Sequence, residues 1–248
     1  MKRIAVVSDI HGNLIALEKV VQDIESRDVD LVVNLGDHIS GPLWPKETLD
    51  YLRTQDWIQI RGNHERQLLT QELEKMGKSD QYAHQAIEYN DLKWLESLPE
   101  RTEIGTDILL CHGSPSDDQQ YLLETIADSH TRLAFPAAID HRMGNETASI
   151  ILCGHSHIPR VVEISDNQLI VNPGSVGLPA YDDVEPEYHM VQTGSPHARY
   201  AILERQADQR LVELIAVSYD HHKAAIQASK NGRQDWAIGL QTGFLKMP

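Results

Sequence analysis

The chain has 248 residues, 41% of them apolar, and a formal net charge of −15. That length suits one α/β domain with at most a small appendage, and the apolar share excludes wholesale disorder. The acidic balance excludes an extended DNA or RNA track, which needs concentrated Lys and Arg, and two cysteines without a CxxC spacing, Cys111 and Cys153, exclude a disulfide scaffold or zinc ribbon.

The N-terminal "MKRIAVVSDIHG" is too short an apolar run for a leader before Asp9 and His11 interrupt it, and no window reaches membrane-spanning length. A soluble cytoplasmic protein is expected. "RIAVVS" reads as a strand, and "LIALEKVVQDIES" repeats apolar positions at helical spacing. Strand then helix recurs in "DLVVNLGD" with "PKETLDYLRT", and in "WIQIRGNHE" with a mostly helical stretch from 65 to 98. "DILLCHG" and "SIILCGH" are two more apolar strands; the polar segment 115–148 between them, with helical stretches such as "QQYLLETIAD", is long enough to cap a site. Further on, "RVVEIS" and "QLIVNPG" flank an Asp166-Asn167 turn, and "ARYAILE" and "QRLVELIAVSY" form a second hairpin. Residues 220–245 read as one or two amphipathic helices ending near Gly243. This order predicts a single α/β domain over 1–248, a four-layer α-β-β-α sandwich of two mixed sheets packed face to face with helices outside.

Five of these strands end in poor core and good ligands: Asp9 and His11, Asp37, Asn63 with His64 and Glu65, His112, and His155 with His157. Carboxyl ends of strands are where α/β sites form. Singly, each has a plainer reading: Asp9 as a helix cap, Asp37 and "GNHE" as turns, the cysteines as small buried hydrophobes. His38, His141, His189, His197, His221 and His222 lack a strand-end context and read as surface or locally bonded residues. In "ILCGHSHIP" strand alternation would turn His155 and His157 to one side. Together the carboxylates, amide and imidazoles would repel or strand each other when buried, unless a dication neutralises them. Oxygen and nitrogen donors without thiolate suit Mn, Fe or Zn, and the set exceeds the needs of one ion. Two ions sharing a carboxylate would use all of it.

The ordered series "DIHGN", "GD", "GNHE", "HG" and "GHSH" resembles the calcineurin-like metallophosphoesterases, and "NPGSVG" at 172–177 is similar to their small bacterial and archaeal phosphodiesterase-like branch. The resemblance implies a first ion held by Asp9, His11, Asp37 and His157, and a second held by Asp37, Asn63, His112 and His155, with Asp37 bridging. It implies Mn2+ foremost, with Fe, Zn, Ni or Co as alternatives. His64 matches the non-ligand histidine that assists the leaving group; with Asn63 it is also the candidate for substrate contact. Glu65 reads as structural. The implied reaction is attack of a metal-bridging hydroxide on a phosphodiester.

Branch members often follow "NPGSVG" with Gln-Pro-Arg; here Ala180 stands at the arginine position. Loss of that cation favours a phosphodiester or dinucleoside polyphosphate over a monoester. The expected partner is a small phosphoester or nucleotide, with a further copy of the chain allowed and extended nucleic acid or membrane disfavoured. A nucleotide pyrophosphate hydrolase, a phosphomonoesterase and a non-catalytic protein-binding scaffold are the competing readings; the presence of His64 speaks against the scaffold. Arg61, His130, Arg132, His141 and Arg142 are further candidate contacts that read equally well as solvated residues.

Overall fold

Alternation along the first strand sets the layering. In β1 (Arg3–Val7) Ile4 and Val6 face one way, Ala5 and Val7 the other, and all four are buried. A strand covered on both faces reads as a continuous apolar run, which is why "IAVV" shows no polar alternation. The computed structural model describes residues 3–164, 168–206 and 209–245. Ile4 and Val6 meet Leu110, Ile150, Leu152, Leu169 and Val171 of a second sheet, while Ala5 and Val7 pack on Leu17 and Val20 of α1 (Leu14–Glu25).

The first sheet runs in the order β14-β13-β1-β2-β3, where β2 is Leu31–Asn34, β3 Ile58–Gln59, β13 Ala198–Gln206 and β14 Gln209–Val217. Strands β1, β2 and β3 are parallel and β13 returns antiparallel beside β1. The second sheet runs β4-β5-β8-β10-β9, with β4 Thr102–Ile104, β5 Ile108–Leu110, β8 Ile150–Leu152, β9 Arg160–Ile164 and β10 Gln168–Asn172. Here β5, β8 and β10 are parallel. Helices α7 (His221–Lys230) and α8 (Gln234–Thr242) join α1 on the outer face of the first sheet, and α6 (Pro136–Met143) covers the second, giving the four layers expected. Between α2 (Pro45–Arg53), α3 (Asn63–Thr70), α4 (Lys78–Ala86) and α5 (Tyr89–Ser97) lies a smaller core of Leu49, Leu68, Ala83 and Leu95.

Within segment 115–148 the stretch "QQYLLETIAD" departs from its expected helical reading, although α6 is a helix. "LLETIAD" gives β6 (Glu124–Ala127), which turns at Asp128 and Ser129 into β7 (His130–Leu133). Both turn residues have positive φ, the conformation of a two-residue hairpin turn whose twist matches its strands. Adjacent Leu122 and Leu123 are both buried, which helical spacing by 100° per residue would not favour. With β11 (Ala180–Asp183) and β12 (His189–Gln192) the hairpin forms a third sheet, β11-β12-β7-β6, beyond the two expected. The Asp166-Asn167 turn lies outside the described residues. The C-terminal segment is two helices, and Gly243 at φ 71° ends the second as a left-handed cap.

Tyr200, buried in β13, fastens the first sheet to α1: its hydroxyl donates to Asp23 Oδ2 at 2.5 Å, and Arg27 Nε donates to the same oxygen at 2.7 Å. Burial opposes ionisation of Asp23, but the bonds from Arg27 and Tyr200 override it and hold the carboxyl below its usual range. A depressed folded pKa contributes stability above the unfolded value and loses it as pH falls through the folded one. Asp23→Asn is therefore expected to cost about 1 kcal/mol at pH 7 and much less near pH 2 in denaturant unfolding. An equal cost at both pH values would contradict that role.

Candidate metal centre

The parallel strands of both sheets point their carboxyl ends to one place. Asp9 and His11 follow β1, Asp37 follows β2, Asn63 and His64 open α3 after β3, His112 follows β5, and His155 and His157 follow β8. The loops between are tied together through their backbones. Asp9 N–H donates to Gly36 O and His11 N–H to Asp37 O, each at 3.0 Å. Glu65, fully buried, accepts from the N–H groups of Asp37, His38 and Gly62 at 2.8, 2.8 and 2.9 Å, so its role is structural. Gly62 is required for close approach, since a Cβ there would lie 2.3 Å from Asp37 Oδ1.

All eight expected residues converge. Asp9, His11 and His157 form one donor group; Asp37, His112 and His155 form another; and His11 and Asp37 form a third with His64. Asp37 Oδ1 accepts from His64 N–H at 3.1 Å, which leaves Oδ2 between the groups, 3.1 Å from His112 Nε2 and 3.9 Å from His11 Nε2. Asn63 Oδ1 lies 3.0 Å from His112 Nε2. Asp9 Oδ2 accepts from His155 N–H, whereas its buried Oδ1 has no hydrogen-bond partner among the described residues.

Each of the four candidate ligand histidines has one ring nitrogen on a backbone carbonyl. Nδ1 of His11, His112 and His157 face Ser40 O, Leu35 O and Leu178 O at 2.8 Å, and Nε2 of His155 faces Gln119 O at 3.0 Å. A carbonyl only accepts, so those nitrogens carry a proton, and each ring, when neutral, turns its lone pair inward. His11 Nε2 and His157 Nε2, both lone-pair nitrogens, then face each other at 3.1 Å. That separation is repulsive without a cation and is the spacing of neighbouring donors on an ion with bonds of about 2.1 Å. The orphaned Asp9 Oδ1 stands 3.3 Å from His157 Nε2. The donor set fits bound dications, one group including Asp9, His11 and His157, the other Asn63, His112 and His155, with Asp37 available to both.

Titration follows the same charges. Burial, then the neighbouring His157, pushes His11 down to about 4, and burial, then His112, pushes His155 down to about 4. Burial also works against a charged His112, but Asp37 and Asp9 raise it to about 9; these carboxylates attract a proton where they would attract an ion. Burial opposes ionisation of Asp9, yet His157 and His112 lower it to about 2. Asp9, His11, Asp37, His155 and His157 all have positive φ, although none is glycine. Such backbone costs about 1 kcal/mol or more per residue and persists only where the surroundings impose it. It also overturns strand alternation as the reason for the last pair: β8 ends at Leu152, and His155 and His157 leave a left-handed coil toward different donor groups.

Several participants carried no sequence signal. Asp80, buried in the first turn of α4, meets His64 Nδ1 at 2.7 Å; in sequence it is an ordinary helix-start acid. Tyr181 packs its ring 4.6 Å from that of His157 and donates its hydroxyl to His155 O. Tyr121 joins Tyr181 to His189, which is fully buried rather than superficial; His38 is likewise buried, 3.2 Å from Glu65. Arg61 turns away to Glu100 and a side cavity of about 380 Å³. His130 and Arg132 are on the exposed hairpin, whereas Arg142 donates to the carbonyls of Leu122 and Glu124 and lines the main cleft. That cleft, of about 1100 Å³, opens over His11, Asp37, Asn63, His64, His155 and His157. No described helix is long and apolar enough to cross a membrane.

Comparison with known proteins agrees with this geometry. The chain is 28% identical over 257 residues to the uncharacterised protein MJ0912 of Methanocaldococcus jannaschii, covering 94% of each. It superposes on a metallophosphoesterase from Sphaerobacter thermophilus with a TM-score of 0.76 and 25% identity, over 98% of this chain and 99% of that one. The hypothetical protein PH1004 of Pyrococcus horikoshii OT3 shares the fold, with a TM-score of 0.77 at 18% identity over 99% and 100% of the two chains. The family model for calcineurin-like phosphoesterases matches residues 2–159, from the first strand through the last of the clustered histidines, and the chain belongs to that family.

Proposed function

We propose that the protein hydrolyses phosphodiesters with two divalent ions, Mn2+ foremost and Fe, Zn, Ni or Co as alternatives. Membership of the family supports phosphoric ester hydrolysis and metal dependence. The observation that carries the finer reading is the pair of donor groups meeting at Asp37 with His64 beside them. Asp9, His11, Asp37 and His157 would hold one ion and Asp37, Asn63, His112 and His155 the other; when bound they would supply Lewis-acid polarisation of a phosphoryl oxygen and a more acidic water. Asn63 and His64 stand at the cleft face, where they can contact the phosphoryl group.

His64 has the properties of the acid that protonates the leaving oxygen. Burial works against its charge, but Asp80 and Asp37 raise it to about 10, which favours the protonated ring that an acid needs. Ala180 supports a diester over a monoester, because a dianionic phosphoryl group would gain from the cation that position lacks. The net charge of −15 favours a small ester over extended nucleic acid. Protein loaded in turn with Mn, Fe, Co, Ni and Zn is expected to hydrolyse bis(p-nitrophenyl) phosphate faster than p-nitrophenyl phosphate. Hydrolysis of the monoester alone would refute the diester assignment; hydrolysis of neither, nor of any dinucleoside polyphosphate, would refute the enzyme.

A further inference from the structure

The cleft is charged unequally along its length. Beyond His64 its wall holds Lys78, Ser79 and Arg233, whereas Asp182, Glu185 and Glu187 occupy the wall built on β11 and the loop after it. Arg233, at the start of α8, is held in place: Asp235 accepts from Nε and Nη2, Ser79 Oγ accepts from Nη1 at 2.9 Å, and the guanidinium lies 5.4 Å from the Trp236 ring. Trp236 in turn stands edge-on to His11 at 5.9 Å. Three of the five guanidinium N–H groups are used, leaving two without a partner among the described residues. Lys78 is exposed and has no ion-pair partner among them. Asp80, beside them, is committed to His64.

The position of α8 explains how an arginine reaches this corner. Ala180 is buried against Gly239 of α8, where an added Cβ would lie 2.8 Å from Ala180 O. A long side chain at 180 would collide with the helix, and the helix brings its own arginine to the cleft instead.

We infer that Arg233 and Lys78 form an anion subsite for a phosphate carried by the leaving group, so that the preferred substrates are phosphoanhydride diesters such as dinucleoside polyphosphates. This rests on the functional reading above, in which His64 marks the side where the leaving group departs. Water adds to phosphorus, the bond from phosphorus to the leaving oxygen breaks with its electron pair going to that oxygen, and His64 supplies the proton. The next phosphate of the leaving group then lies toward Arg233, whose rigid fork suits phosphate. The acidic wall repels an anion placed the other way round and sets the direction of cleavage.

Metal-loaded wild type, Arg233→Ala, Arg233→Lys and Lys78→Ala are compared on diadenosine tetraphosphate and bis(p-nitrophenyl) phosphate. The ratio of kcat/KM for the first over the second is expected to fall about tenfold or more in Arg233→Ala, with Arg233→Lys and Lys78→Ala intermediate. Calorimetry with adenosine 5′-(α,β-methylene)diphosphate, stable between its phosphates, is expected to show a matching loss of affinity. An unchanged dissociation constant in both alanine variants, or an unchanged kcat/KM ratio, overturns the subsite. If wild type hydrolyses neither ester, the enzymatic reading fails, and the binding measurement still decides the subsite.

Discussion

Replacing His64 with alanine is expected to lower turnover of bis(p-nitrophenyl) phosphate about 10²- to 10⁴-fold, the range for loss of a positioned acid, while bound metal is retained. Its ring also faces His11 and Asp37, but Asp80 holds its Nδ1 and it is outside the groups that pair Asp9 with His157 and His112 with His155, so metal content should survive. Its backbone N–H, which Asp37 Oδ1 accepts, is kept by alanine. Asp80→Asn gives the companion result. Asp80 is the largest contributor raising His64 to about 10, so its removal lowers that value and moves the alkaline limb of the kcat profile to lower pH. A structural role for Asp80 would lower stability without moving that limb. Metal analysis alongside the kinetics separates the cases: lost metal with unchanged turnover per bound ion would contradict the role given to His64.

Asp37→Ala is expected to abolish activity and metal-dependent stabilisation together, because Oδ2 faces both histidine groups. An ion that binds only the folded state at 100 times its dissociation constant adds about 2.7 kcal/mol per site. In a chain of this size each kcal/mol corresponds to about 2 to 4 °C, so wild type should show a rise of several degrees on metal addition, reversed by a chelator. The variant should show none. The effect depends on pH with a definite sign. With Asp37 and Asp9 raising His112 to about 9, a proton competes with the ion below that value, and apparent affinity should climb by up to about tenfold per pH unit toward it. A melting temperature of Asp37→Ala that rises with Mn2+ as in wild type would show that the carboxylate does not bridge.

The depressed His11 and His155 behave differently. Burial and neighbouring imidazoles already favour their neutral rings, so they are ready to ligate across the physiological range. Three of the four carbonyls that fix the imidazole tautomers lie in loops following strands or near them, at Leu35, Ser40 and Leu178; the fourth, Gln119, is in the turn before the hairpin β6–β7. The segment expected to cap the cleft thus contributes a backbone atom to the centre, which no side-chain pattern announces.

Much of this protein was legible in its residues because local chemistry repeats. Short apolar runs ending in Asp, Asn or His mark buried parallel strands, and the eight candidate residues at their carboxyl ends lie together. Glu65 was readable as structural because an acid at the third position of a helix can reach back to open N–H groups. The hairpin β6–β7 was not legible, since "QQYLLETIAD" satisfies a helical period and only pairing with β7 decides against it. Asp80, Tyr181 and Arg233 were not legible either: each is ordinary in its own element and gains a role from a neighbour 16, 24 or 154 residues away, at His64, His157 and Ser79. By itself the sequence determined most strands and helices along the chain and the kinds of donor at the strand ends, because these are written in periodicity and spacing, and its ordered motifs carried the resemblance to the family. Only the tertiary structure decided which nitrogen of each histidine faces the centre, which wall of the cleft is basic, and that an arginine enters from the C-terminal helix where Ala180 leaves room. Those outcomes depend on distances between chain-distant atoms, which packing fixes and linear order does not.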